Sequence, residues 1–288
     1  MHFLPIVGLA SAVLLAGCST TATKLPPISD QSTGLSHPGQ VIWHDLATRD
    51  LKASKAFYAQ LFGWEFKKIG IGPREYNVIL HRGEIIGGMF LFNPDDGLEN
   101  QSGEWLVNLS TPDVDQAVAT IIAAGGRIIE PARDVPDRGR AAFISDDQDA
   151  LFVVTQSSTG DLADGAVPYG GWLWNELWTH DHDKAQAFYG DVFGYKFERA
   201  DGPPNRSYSL LTQAGQPRAG LLEISALDIR PHWLPFIRVP DVPATVVLAK
   251  AMQVNVIFEP DPEVRDGKVA LLQGPTGEPF VVQSFDFE

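Results

Sequence analysis

The segment from Trp43 to Phe66, WHDLATRDLKASKAFYAQLFGWEF, returns without a gap as Trp174 to Phe197, WNELWTHDHDKAQAFYGDVFGYKF, with ten of 24 positions identical. A repeat of this kind demands two copies of one structural unit, which limits the chain to folds built by duplication. Tyr76 pairs with Tyr208, Gly88 with Gly220, Trp105 with Trp233, and Phe152-Val153-Val154 with Phe280-Val281-Val282, at an offset that drifts only slightly. Such drift fits insertions confined to turns around a shared core.

Within each copy the apolar pattern predicts a strand, a helix and three short strands, and this unit is used twice. In the first copy strands are expected at 41–47, 65–69, 75–80 and 85–92 with a helix at 51–62. The second unit starts near 104, with its helix at 114–124. Asp50, Asp113, Asp181 and Asp241 each stand just before a helix, where a carboxylate accepts free backbone N–H groups, so they read as caps rather than catalytic acids. The AFY helix followed by FGxxF, on paired strand–helix–three-strand units, resembles the vicinal oxygen chelate superfamily of glyoxalase I, bleomycin-resistance proteins and extradiol dioxygenases. WxDL and WxEL at the start of the copies resemble its tandem glyoxalase-like members. The resemblance implies an α+β protein with two tandem glyoxalase-like domains at 40–158 and 171–288, joined by a linker at 159–170. Each domain would be built from paired βαβββ units forming an incomplete barrel.

The first residues, MHFLPIVGLASAVLLAGC, hold an uncharged apolar run of about 15 residues, shorter than the ~20 that span a bilayer. Residues 1–17 therefore read as a signal peptide. Leu15-Ala16-Gly17-Cys18 resembles the bacterial lipobox, which implies lipidation of Cys18, the sole cysteine, and a lipoprotein of the cell envelope anchored to the membrane without crossing it. By resemblance to Gram-negative lipoproteins, Ser19 after that cysteine implies the outer membrane. Residues 18–39, rich in Ser, Thr, Pro and Gly, read as a flexible tether. With 36 acidic against 22 basic residues and a net charge of -14, the chain opposes the electrostatic attraction that drives nucleic-acid binding.

In the superfamily, His, Gln or Glu ligands to a metal project inward from the first and last strands of the units. The resemblance places those positions at Trp43 and Trp174, Leu106 and Leu234, and Val153 and Val281, with Gly88 to Phe90 and Gly220 to Leu222 beside them. None carries an imidazole, thiolate or carboxylate, so no metal cofactor is expected. Strand alternation puts Trp43, Asp45 and Ala47 on one face, Ile42, His44 and Leu46 on the other, and Trp172, Trp174, Glu176 and Trp178 together. If the ligand-equivalent tryptophans face the cavity, each domain has a carboxylate beside indole walls, a site for a planar or cationic small organic molecule. Candidate ligand-binding residues are Trp43, Asp45, Tyr76, Trp174, Glu176, Trp178, Tyr208 and Arg238. Asp45 and Glu176 are also candidate general bases, since an apolar wall raises a carboxyl pKa. The alternative is structural: the acids bond a neighbouring arginine or backbone, and the tryptophans pack the core. His180-Asp181-His182-Asp183 reads as a strand-to-helix turn, and His44 and His81 stand alone. No phosphate-binding glycine loop or serine-histidine-acid order is present. Three functional readings stay open: a metal-independent binding protein, an enzyme of the superfamily, and an envelope scaffold.

Overall fold

The computed structural model describes residues 25–69, 75–91, 102–202 and 206–287. The expected signal peptide at 1–17 and Cys18 lie outside these residues. Domain 1 contains β1 (Val41–Thr48), α1 (Leu51–Phe62), β2 (Glu65–Ile69), β3 (Tyr76–His81) and β4 (Glu84–Leu91), then β5 (Glu104–Ser110), α2 (Val114–Ala123), β6 (Arg127–Val135), β7 (Gly139–Ser145) and β8 (Leu151–Ser157). Domain 2 repeats the order with β9 (Trp172–Thr179), α3 (His182–Phe193), β10 (Lys196–Arg199), β11 (Tyr208–Gln213), β12 (Gln216–Glu223), β13 (His232–Arg238), α4 (Val242–Ala251), β14 (Val256–Phe258), β15 (Val269–Gln273) and β16 (Pro279–Gln283). All four expected caps form, with the side chains of Asp50, Asp113, Asp181 and Asp241 accepting from the backbone N–H three residues on.

Each domain is one eight-stranded sheet, in the order β2-β3-β4-β1-β5-β8-β7-β6 and β10-β11-β12-β9-β13-β16-β15-β14. The antiparallel pair β1–β5, or β9–β13, joins the two units at the centre, and the end strands of each sheet remain unjoined. One residue is inserted in β1 between Val41 and Trp43, and another in β9 between Trp172 and Trp174. A bulge of this kind puts neighbouring side chains on the same face and breaks the alternation. Ile42 therefore clusters with Trp43 rather than sharing a face with His44 and Leu46. Trp172 parts from Trp174 and turns to the opposite face, where it stacks on His44 with ring centroids 4.0 Å apart.

The main apolar cores are shared between the domains. One joins Phe57, Tyr58, Ile79 and Met89 of the first unit to Val246, Leu272, Phe280 and Val282 of the last. The other joins Val107, Ile121, Ile144 and Phe152 of the second unit to Phe188, Tyr189, Leu211 and Leu221 of the third. The repeated AFY motif secures both. Tyr58 accepts from Trp105 Nε1 (3.0 Å) and donates across to Glu278 (3.0 Å), while Tyr189 accepts from Trp233 Nε1 (3.1 Å) and donates across to Asp146 (3.0 Å).

The described part of the expected tether does not hang free. Thr33 N–H donates to Thr159 O (2.8 Å), Arg138 Nε donates to Pro26 O (3.0 Å), and Ile28 is buried against Ile42 and Trp43. An isoleucine and prolines can cover apolar surface that a purely polar tether would leave wet, and that outweighs the flexibility of the intervening Ser and Gly. Among the described residues no helix is long and apolar enough to cross a membrane.

Candidate functional site

The first strand of each domain places an acid beside a tryptophan that donates to it. In domain 2, Glu176 is 3 % exposed. Its Oε1 accepts from the Tyr208 hydroxyl (3.0 Å) and Arg265 Nη2 (2.6 Å), and its Oε2 accepts from Trp178 Nε1 (3.3 Å). Gly220 pairs with Glu176 on the neighbouring strand, and a Cβ there would lie 2.5 Å from the Tyr208 hydroxyl and 2.8 Å from Glu176 Cγ. Only glycine leaves room for the acid–tyrosine contact. Burial, and then the charge of Glu176, push the Tyr208 hydroxyl well above its ordinary pKa, so it stays protonated and donates.

Arg265 comes from the hairpin between β14 and β15, at φ 49, followed by Asp266 at φ 55. Two successive non-glycine residues in the left-handed region cost on the order of 1 kcal/mol each, and a strained turn of this kind is sustained where surrounding contacts fix it. Here the Glu176 ion pair holds the guanidinium, whose side chain keeps one-third of its surface exposed. The group opens onto a cavity of about 910 Å³ walled largely by aromatic and aliphatic residues, among them Trp105, Trp178, Tyr208, Trp233, Phe236 and Phe258. Trp174 packs in the adjoining apolar cluster with Phe236 and Val281.

Domain 1 carries the same parts in closed form. Asp45 Oδ1 accepts from the Tyr76 hydroxyl (2.5 Å) and Trp43 Nε1 (3.1 Å), and Oδ2 accepts from Asn108 Nδ2 (3.3 Å). Arg138, from the corresponding hairpin, lies over the Trp43 ring at 3.8 Å and donates to Pro26 O. Trp43 and Arg138 are 2 % and 3 % exposed. The chain's own Pro26 carbonyl and Ile28 side chain thus take the place that in domain 2 is open.

Of the eight expected ligand-binding residues, Trp43, Asp45, Tyr76, Glu176, Trp178 and Tyr208 fall in these two clusters, and Trp174 packs beside the second. Arg238 does neither. It donates to Val167 O (2.6 Å) and Phe285 O (2.8 Å) and lies over Tyr169, tying the linker to the C-terminal segment, because it ends β13 beyond the concave face. The isolated histidines serve contacts between segments: His44 bonds Asn175 (2.8 Å), His81 bonds Tyr169 O (2.7 Å) and His180 bonds Ile229 O (2.8 Å). His182 is mostly buried and lies 3.2 Å from Gln186 Nε2. Arg138 and Arg265 escaped the sequence reading, although Asp137-Arg138-Gly139 and Arg265-Asp266-Gly267 are matching turn signals in the two copies.

A divalent metal of the kind the superfamily binds needs three or more convergent donors. Among the described residues no three His, Cys, Asp or Glu side chains come together. The acid in each cluster already accepts three O–H and N–H donors, which a cation would have to displace. The donor set does not fit such a metal, and no chemical step is routed through one.

Each domain is thus two βαβββ units joined in one eight-stranded sheet, with an acid on its first strand. A model of the glyoxalase/bleomycin resistance protein/dioxygenase superfamily matches residues 35–154, and one of the bleomycin resistance protein-like N-terminal family matches residues 172–205. The "Putative glyoxylase CFP32" of Mycobacterium tuberculosis is 31% identical over 242 residues, covering 83% of this chain and 92% of that protein. The anthracycline biosynthesis protein DnrV of Streptomyces peucetius is 28% identical over 262 residues, covering 85% of this chain and 93% of that protein. Among solved structures, the Mn(II)-bound glyoxalase from Novosphingobium aromaticivorans aligns with a TM-score of 0.59 at 16% identity, covering 87% of this chain and 83% of that one. The chain belongs to the glyoxalase/bleomycin resistance protein/dioxygenase superfamily.

Proposed function

We propose that the protein binds a small organic molecule in the domain 2 cavity without a metal, and that the lipobox-like Leu15-Ala16-Gly17-Cys18 holds it at the cell envelope through a lipid on Cys18. The observation that carries the reading is the asymmetry of the copies. Domain 1 covers Trp43 and Arg138 with its own chain, while domain 2 presents Glu176, Tyr208, Trp178 and Arg265 to a cavity of about 910 Å³. That volume lies within the roughly 300–1,000 Å³ of small-molecule sites. Aromatic walls favour a planar body. Arg265, its charge already met by Glu176, favours a neutral oxygen acceptor, as Arg138 takes the Pro26 carbonyl in domain 1. Glu176, buried at 3 % exposure and accepting from three donors, positions Arg265 and Tyr208 rather than meeting the ligand itself. The relatives named for anthracycline biosynthesis fit this reading, since anthracyclines are planar fused-ring ketones.

Calorimetric titration of 2-acetylnaphthalene into the full-length protein tests it. One binding site is expected, with unchanged affinity in EDTA, and an affinity about tenfold weaker in Glu176→Gln or Arg265→Gln, the scale of one charge-assisted hydrogen bond. Affinity lost on chelation, or a stoichiometric metal in the purified protein, would favour a second reading. That reading is a metal-dependent enzyme, to which the glyoxylase name of the mycobacterial relative points.

A further inference from the structure

The segment that covers domain 1 is attached in two different ways. Its later part is clamped to the linker: Ser29 N–H donates to Thr159 Oγ1 (3.3 Å), Thr33 N–H to Thr159 O (2.8 Å) and the Thr33 hydroxyl to Asp161 O (2.7 Å). Its earlier part, Leu25 to Ile28, has one hydrogen bond among the described residues, from Arg138 Nε to Pro26 O (3.0 Å). Pro26 and Pro27 have no N–H to add to it. The remaining hold is apolar, through Ile28, which is 4 % exposed and packs with Ile42 and Trp43. Four residues on a clamped stem are thus fixed to the domain 1 face by a single carbonyl and a single buried side chain.

These residues do not fill the space they enter. A cavity of about 700 Å³ remains beside them, bounded by Leu25, Pro26 and Pro27 on one side and by Ile69, Val78 and Ile85 of β2, β3 and β4 on the other. Val78 is two residues from Tyr76 on β3, so this cavity opens on the face that carries the Tyr76–Asp45 pair. Against that face the segment makes the contacts of a ligand: a neutral carbonyl accepts from a guanidinium, and an apolar body lies against an indole. Asp45, Tyr76 and Arg138 stand in domain 1 where Glu176, Tyr208 and Arg265 stand in domain 2. If Leu25–Ile28 left, water could satisfy Arg138 Nε but would not cover the apolar surface that Ile28 shields. A molecule with both a carbonyl and an apolar body replaces the segment on both counts.

We infer that domain 1 holds a second binding site for the same class of ligand as domain 2, with a carbonyl on Arg138 and an apolar body against Trp43 and Ile42, and that Leu25–Ile28 closes it as a removable plug. The inference rests on the binding role proposed for the domain 2 cavity, and the chain's own segment stands in for the ligand.

Calorimetric titration of 2-acetylnaphthalene into the full-length Ile28→Asp variant tests it, since a carboxylate at that buried position expels the plug. Release is read separately by acrylamide quenching of tryptophan fluorescence, because Trp43 is 2 % exposed with the plug in place. The parent is expected to bind one equivalent and the variant two, with increased quenching. Adding Arg138→Gln to the variant should weaken the second equivalent about tenfold and leave the first unchanged. If Ile28→Asp fails to fold, Ile28→Ser carries the same comparison. Increased quenching with only one equivalent bound overturns the inference and leaves the binding reading standing. Unchanged quenching overturns it too, because the segment is then no removable plug. Two equivalents in the parent, or a second equivalent that Arg138→Gln leaves within twofold, would likewise overturn it. No binding to the parent overturns the binding reading and this inference with it.

Discussion

His44 and Asp146 both lie where the domains meet, and burial moves them in opposite senses. The His44 imidazole, stacked on Trp172, is pushed down to about 4 by burial, with the Asn175 bond opposing. The folded protein therefore refuses a proton that the unfolded chain accepts below its ordinary 6.5, and stability is lost as pH falls from 6.5 toward 4. The scale is about 3 kcal/mol. The Asp146 carboxyl is raised to about 6, chiefly by burial, so its folded form holds a proton that the unfolded chain has released. Its contribution is most favourable below 3.8 and is lost as pH rises through 6. Over the shared window the two slopes oppose each other. Replacing His44 with Gln, which keeps a donor for Asn175 but does not titrate, removes one of them. The stability difference between variant and parent, from urea melts, should move in the variant's favour by about 3 kcal/mol between pH 7 and pH 4. A difference independent of pH would show that His44 is not held neutral by the interface. None of this was legible in the sequence: His44 read as an isolated histidine because its partners, Trp172 and Asn175, lie more than a hundred residues away.

At the level of strands and turns, the sequence carried most of the architecture and part of the site. Alternation placed Asp45 and Glu176 beside tryptophan on one face, and the structure brings them to Tyr76 and Tyr208 as the repeat implied. It misplaced Trp172 and Ile42 because a one-residue bulge changes parity without leaving a mark in an apolar run. It missed Arg265 for another reason: the arginine reaches Glu176 from a turn 89 residues away. Gly88 and Gly220 stand out in the sequence as a landmark of the repeat and as positions lacking a metal donor. Their role is steric, and it yields a prediction. Gly220→Ala should drive the Tyr208 hydroxyl off Glu176, weakening 2-acetylnaphthalene binding by about tenfold and costing roughly 1–3 kcal/mol of stability. Parent-like binding and melting would mean that the close approach at Gly220 does not shape the site.

For the whole molecule, duplication has produced two sheets that share their cores instead of owning one each. The AFY tyrosines, legible as a repeat but not as a clamp, each bond an acid of the opposite domain. Tyr58→Phe would leave Glu278 and Trp105 each short of a buried partner and should lower stability by about 1–3 kcal/mol in a denaturant melt; no change would remove the tyrosine from the interface account. Because each main core takes about half its residues from either domain, residues 25–158 and 159–287 expressed apart should lack cooperative melting and regain it on mixing. Cooperative melting of either piece alone would refute shared cores. One site is covered by Pro26 and Ile28 and the other is open. A crystal structure of the full-length protein with 2-acetylnaphthalene tests that contrast most directly. The prediction is one molecule in the domain 2 cavity, its carbonyl on Arg265, with no metal at Glu176 and the Trp43 site still covered by Pro26 and Ile28. A molecule in place of that segment in domain 1, or a metal ion bound by Glu176, would contradict it.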